Sequence, residues 1–389
     1  MLKTVKLALS QFPKPLPDNL LGPEGAPLTE IEVNLGDLFH HYYLDSWGMT
    51  PPNPDPAHFE HVQFLLPSQE FRFSSQWAGL NKTFKGNKSN ELGQAFCRWF
   101  LSEHLGIDYI AHLDAVRDHG ALAAFGGISV KTSTDVDGDR PDFFCASGSN
   151  KIFLAEAKGT GHAVGFTTKE FATWREQFER VEVFNALGHA MKVKGFIVAM
   201  RWATEYDSAK VATKLSAEDP ETRGELPISE DRPGLAFATK SIHYASTLQR
   251  LRQPLLSAAL LRGTRIPDDL SFQFVVWQCL FPGLEHYKFV GGYYPGPGQT
   301  LPFSFDDKGR ITYVKSDPLR LDVASGTFFG VEARTMETLV ATAREGPQRI
   351  GGLRPLERPP GAYSALSFLR DGHIVGPIEL FRPINAITL

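Results

Sequence analysis

A chain of 389 residues with a formal net charge of −4, 42% hydrophobic and 22% charged, has the composition of a globular protein large enough for more than one domain. It holds no apolar run long enough to span a bilayer, and Met1 to Ser10 lacks the sustained apolar stretch of a secretory signal, so a cytoplasmic setting without membrane contact is expected. Cys97, Cys145 and Cys279 lie far apart without CxxC spacing, which fits a reducing compartment and argues against a thiolate zinc site.

Residues 1–85 read as an accessory region, with proline-rich passages from Phe12 to Pro27 and from Thr50 to Pro56 around a mixed run, Ile31 to Tyr43. His40-His41 and the His58-x-x-His61 pair invite a metal reading. Adjacent histidines point apart on any regular element, and a His-x-x-His without further ligands is usually incidental. Leu92, Ala95, Phe96, Trp99 and Phe100 then follow helical spacing, with Ser89 or Asn90 as N-cap, Gly106 as stop and Glu91 in the first turn. An acidic residue near a helix N-terminus is favourable without any catalytic role. Ala124 to Lys131 reads as a strand, and Thr134 to Asp139 as an acidic turn rather than a calcium loop, because its glycine comes too early.

The stretch that stands out is a hairpin. Arg140-Pro141-Asp142-Phe143-Phe144 and Phe153-Leu154-Ala155-Glu156-Ala157-Lys158 are apolar runs joined by Ala146-Ser147-Gly148-Ser149-Asn150, a turn by composition. Asp142, Glu156 and Lys158 sit inside those runs, where burial normally excludes charge. With the turn centred on Ser149, Asp142 faces Glu156 across an antiparallel pair, their Cβ atoms about 5 Å apart. Lys158, two residues on, points to the same face. A one-residue slip would put Asp142 opposite Ala155 and dissolve the group. Gly159-x-Gly161-x-x-x-Gly165 lacks the apolar strand and following helix of a dinucleotide site.

Lys169 to Met191 reads as a helix with Phe171, Trp174, Phe178 and Val181 in one stripe and Gln177 and Arg180 in the next; Lys194 to Met200 reads as a buried strand. Two acidic, turn-rich passages, Ser216 to Glu221 and Ser229 to Gly234, suggest a boundary near residue 205. Beyond it, residues 206–389 read as an α+β region: a helix from Ser241 to Arg262 with Pro254 as a kink, strands at Phe272 to Leu280 and Phe328 to Ala333, a helix from Thr335 to Ala343, and a hairpin turning at Asp371-Gly372. Arginines at 250, 252, 262, 265, 344, 349, 354 and 358 could follow a phosphate backbone or form a solvated surface, and Tyr293-Tyr294 could stack bases or open a turn.

The Arg140-Pro141-Asp142 and Glu156-Ala157-Lys158 segments, flanked by helices carrying Glu91 and Gln177 in the order αβββαβ, resemble the PD-(D/E)XK nuclease superfamily over residues 86–205. The resemblance implies an α/β fold with a mixed, restriction-endonuclease-like sheet, and a Mg²⁺ (or Mn²⁺) phosphodiesterase. Asp142, Glu156 and Glu91 would be metal ligands, Lys158 would position or help deprotonate the attacking water, and Gln177 would be a helper. It further implies an endonuclease acting on nucleic acid, DNA favoured, in a restriction or defence setting, with a protein partner or a second copy as an expectation. The competing expectation is a scaffold that keeps the fold without catalysis. Hard carboxylate oxygens suit Mg²⁺, and two carboxylates held this close repel unless a cation or a proton joins them, so one of their pKa values should rise.

Overall fold

The computed structural model of the protein describes residues 1–45, 53–56, 59–118, 129–132, 138–184, 187–191, 193–220, 232–295, 303–308, 310–313, 326–359 and 366–389. The chain opens with strands Leu2–Ser10 (β1) and Glu30–Asn34 (β2), then helix Leu35–Asp45 (α1). A long helix, Lys82–Leu105 (α2), begins at Asn81, whose side chain accepts a hydrogen bond from the Phe84 N–H at 2.8 Å, and stops at Gly106 in the left-handed conformation. Glu91 therefore lies well inside α2 rather than in its first turn, and Ser89 is a buried helical residue rather than the cap.

Next come Tyr109–His112 (β3), Ser129–Thr132 (β4), Phe143–Ala146 (β5) and Ile152–Thr160 (β6), helix Lys169–Gln177 (α3), then Val181–Phe184 (β7), Ala190–Met191 (β8), Lys194–Arg201 (β9) and Lys214–Glu218 (β10). The expected helix from Lys169 to Met191 is cut short at Gln177. Val181-Glu182-Val183-Phe184 is β-branched with period-two alternation, and it pairs with β4 instead. The strand expected at Ala124 to Lys131 is described only as β4, in a small sheet with β7 and β8, while residues 121–128 lie outside the described residues.

A seven-stranded mixed sheet runs β2-β1-β10-β9-β6-β5-β3. β9 is an apolar run whose interior residues are all buried, as a strand covered on both faces requires. Successive residues of β6 alternate between two cores. Ile152 and Leu154 pack with Phe171, Trp174 and Phe178 of the α3 region, and Ala155 and Ala157 with Leu92, Phe96 and Phe100 of α2. The boundary expected near residue 205 falls between β9 and β10, which are hydrogen-bonded neighbours, and residues 1–85 supply two strands of the same sheet. Ser216 to Glu218, expected in a solvated turn, is a buried strand whose Glu218 is neutralised by Arg175 through two 2.8 Å bonds.

The remainder comprises helices Arg232–Arg250 (α4) and Pro254–Arg262 (α5), strands Gln273–Cys279 (β11), Lys288–Tyr294 (β12), Phe303–Phe305 (β13), Ile311–Tyr313 (β14) and Thr327–Glu332 (β15), helix Ala333–Glu345 (α6), and strands Ser367–Phe368 (β16), His373–Pro377 (β17) and Phe381–Thr388 (β18). Pro254 breaks rather than kinks the helical run, occupying the first turn of α5 where its missing N–H costs nothing. A six-stranded antiparallel sheet runs β16-β17-β15-β12-β11-β18, and Gly372 at φ 94° turns β16 into β17 as the Asp-Gly pair predicts. α4 joins the two sheets: Tyr244 of α4 donates to the Asp371 carbonyl at 2.5 Å, and His243 of α4 lies against Ile110 of β3.

Candidate active site

The β5–β6 pair sets the site. Phe143 pairs with Ala155, Phe144 with Leu154, Cys145 with Phe153 and Ala146 with Ile152, so continuing the register one step places Asp142 opposite Glu156. The turn closes through the Ser147 N–H to the Lys151 carbonyl at 2.9 Å, with Asn150 at φ 61°. The C-terminal region holds that turn: Lys240 of α4 donates to the Asn150 side chain at 2.7 Å and Arg354 to the Gly148 carbonyl at 2.9 Å.

Asp142 is anchored by the backbone. Its Oδ2 accepts the Ala157 N–H at 2.8 Å, and its Oδ1 lies 3.4 Å from the Gln94 amide. Glu156 is 0% exposed, and neither of its carboxylate oxygens has a hydrogen-bond partner of good geometry. Its charge contact is the Lys158 ammonium, which is 25% exposed and forms an ion pair with Oε1. Burial first, then the Asp142 charge, push the Glu156 carboxyl well above the usual carboxylate range, with Lys158 opposing them. Burial lowers the Lys158 pKa, but the Glu156 and Asp142 carboxylates outweigh it and raise the net value. The rise expected for one member of a facing carboxylate pair falls on Glu156.

The α2 helix approaches β6 very closely. A β-carbon at Gly93 would lie 2.9 Å from the Gly159 nitrogen, and one at Gly159 would run into the Ser89 carbonyl. This contact fixes the helix against the strand end that carries Lys158.

Two expected site residues stand apart from this group. Glu91 pairs with Lys88 at 3.2 Å and with His61 at 3.8 Å. The side chain of α2 that reaches Asp142 is that of Gln94, one turn further along, which the sequence reading did not single out. Gln177 ends α3, is buried, and has no hydrogen-bond partner for its Oε1. Among the described residues no hydrogen bond or ion pair joins Glu91 or Gln177 to Asp142, Glu156 or Lys158.

Several basic residues proposed for a backbone groove are structural. Arg250 is buried and donates to the Tyr43 and Leu44 carbonyls at 3.0 and 3.1 Å, and Arg358 pairs with Asp37 at 2.8 Å and with Glu103. Tyr294 donates to the Arg250 carbonyl at 2.7 Å. His40 and His41 are both buried, and His40 lies 3.0 Å from the Ser367 hydroxyl; His58 lies outside the described residues.

A cleft of about 210 Å³ lies elsewhere, between α1, α2, β3 and α4, lined in part by Asp45, Arg98, His112, His243 and Gln249. Asp142, Glu156 and Lys158 are not among its lining residues. No described helix is long and apolar enough to cross a membrane. No family model matches the chain, and no curated protein or solved structure matches it.

Proposed function

We propose that the protein is a metal-dependent phosphodiesterase of the PD-(D/E)XK type, cleaving nucleic acid, with DNA as the favoured substrate. The observation that carries this reading is the facing register of Asp142 and Glu156 with Lys158 on the same strand face. Leaving aside β4, β7 and β8, which form a separate small sheet, α2, β3, β5, β6, α3 and β9 follow in that order, and Asp142 directly before β5 lies opposite Glu156 of β6, which supports it further.

The donor set fits a hard divalent ion. Two carboxylates converge beside the start of β5, and the buried Glu156 carboxylate, ion-paired with Lys158 at Oε1, has no hydrogen-bond partner of good geometry, so a cation would satisfy its remaining lone pairs. Asp142 and Glu156 would hold Mg²⁺ or Mn²⁺, which supplies positive charge for the phosphoryl oxygens and acidity for a water. Asp142 keeps a fixed orientation because the Ala157 N–H occupies one of its oxygens. Lys158 offsets the repulsion of the grouped anions, and its partly exposed ammonium can orient a water toward phosphorus. Glu91 and Gln177 are not needed for these roles.

Plasmid DNA, linear DNA, RNA and free nucleotides incubated with Mn²⁺ or with EDTA test the reading. DNA cleavage with Mn²⁺ and none with EDTA is expected. Failure to cleave any of these substrates while Mn²⁺ binds would contradict it and favour the scaffold.

A further inference from the structure

We infer that His243, Asp371 and His373 form a second metal site, one that takes a transition ion of the Zn²⁺ class and ties α4 to the β16–β17 hairpin. All three side chains are buried, and one ligand atom from each lies within 4.8 Å of the others. His243 Nε2 is 3.0 Å and His373 Nδ1 2.8 Å from the same oxygen, Asp371 Oδ2. Tetrahedral ligands around an ion with bonds of about 2.0–2.1 Å stand roughly 3.3 Å apart, so small shifts would seat an ion among these atoms.

The surrounding contacts are those that a ligand set needs. A metal-bound imidazole normally has its other nitrogen held by a backbone carbonyl, a carboxylate or another polar partner. With Nδ1 protonated, as a metal at Nε2 requires, His243 donates to the Ile110 carbonyl at 3.1 Å in place of accepting the Ile110 N–H at 3.2 Å. His373 Nε2 lies 2.6 Å from the Thr247 hydroxyl. Asp371 is held as well: its Oδ1 accepts the His373 N–H at 3.1 Å and its carbonyl accepts from Tyr244 at 2.5 Å. These bonds hold the three side chains in place, and His243 Nε2 makes a 3.0 Å hydrogen bond to Asp371 Oδ2 whose proton an ion would displace. His373 Nδ1, despite its 2.8 Å approach to Oδ2, is off the line of a hydrogen bond and has no such partner.

Two imidazoles and one carboxylate suit a borderline ion, in contrast to the all-carboxylate pair at Asp142 and Glu156, which suits Mg²⁺. His243 also lines the cleft of about 210 Å³, whereas Asp371 and His373 do not. The ligands come from two regions far apart in sequence, α4 and the β16–β17 hairpin, so the ion would tie α4 to the six-stranded sheet. This site shares no residue with the proposed catalytic group and does not rest on that reading.

The experiment loads the full chain with ZnCl₂, desalts it, and measures zinc by mass spectrometry beside Glu156→Gln and His373→Asn. About one zinc per chain is expected in the wild type and in Glu156→Gln, with a loss of at least about tenfold in His373→Asn. Equal zinc in the wild type and in a folded His373→Asn protein, or no zinc in a folded wild type, would overturn the inference. X-ray absorption at the zinc edge needs no variant. Two imidazoles at about 2.0–2.1 Å are expected, and a shell without imidazole overturns the assignment.

Discussion

At the scale of single residues, burial decides what each charge does. Glu156 is costly to bury as an anion and is stabilised by Lys158 from its own strand. Asp108 shows the same physics away from the proposed site. Desolvation raises its carboxyl from 3.8 to about 6, with Arg370 and the Ser102 hydroxyl opposing the rise. Between those pH values the folded protein binds more protons at Asp108 than the unfolded chain, so this residue makes stability fall as pH rises through that window. The full cost, on the order of 3 kcal/mol, persists above about pH 6. Denaturant melts across pH 4 to 7 should therefore show Asp108→Asn gaining on the wild type as pH rises. A constant difference across the window would contradict that account. His104 works in the opposite sense: burial lowers it to about 4, so its contribution is lost as pH falls from 6.5 toward 4. The two slopes overlap, and the single variant separates them.

At the scale of elements, α2 and β6 are locked by close backbone contact at Gly93 and Gly159 as well as by side-chain packing. Gly159→Ala should destabilise the protein by about 3 kcal/mol, because the added methyl meets the Ser89 carbonyl of a helix that cannot retreat. Thermal unfolding checks this, and a loss under about 0.5 kcal/mol would show that the helix moves freely. Asn81→Ala removes the α2 cap and should cost about 1 kcal/mol by the same measurement.

Much of this level was legible in the sequence. The hairpin register followed from turn composition, Gly106 marked the end of α2, the apolar run of β9 marked a buried strand, and Asp371-Gly372 marked a turn. The errors have local causes. The α3 stripe of Phe171, Trp174 and Phe178 is real, but Val181 to Phe184 has strand periodicity, which a helical reading of one stripe absorbs. Ser89, a good capping residue by type, suggests too late a start for α2, while in the structure its hydroxyl accepts from the Trp202 indole at 2.6 Å inside the core.

At the scale of the whole molecule, the seven-stranded sheet joins strands that lie far apart in sequence. β1 runs parallel to β10, which pairs with β9, so residues 2–10, 194–201 and 214–218 make one surface. Nothing local announces such pairing. The acidic residues at the end of β10 and just beyond it read as a solvated turn because Arg175 and Lys194, which neutralise Glu218 and Asp219, lie elsewhere in the chain. The same holds for His243, Asp371 and His373, which no spacing rule links across more than 120 residues. A fragment of residues 86–205 should accordingly fail to fold alone, since β9 loses its neighbour β10 and the hairpin turn loses Lys240 and Arg354. Circular dichroism would show this as no cooperative melt; a cooperative melt would mean that the core is autonomous.

The proposed function depends on Asp142, Glu156 and Lys158 acting as one hydrolytic group. Supercoiled plasmid, incubated with Mn²⁺ and the wild type or Lys158→Ala at equal folded concentration, tests it directly. The account predicts nicked and linear products from the wild type that EDTA abolishes, and a rate at least about a hundredfold lower for Lys158→Ala. Equal cleavage by the two proteins would contradict it.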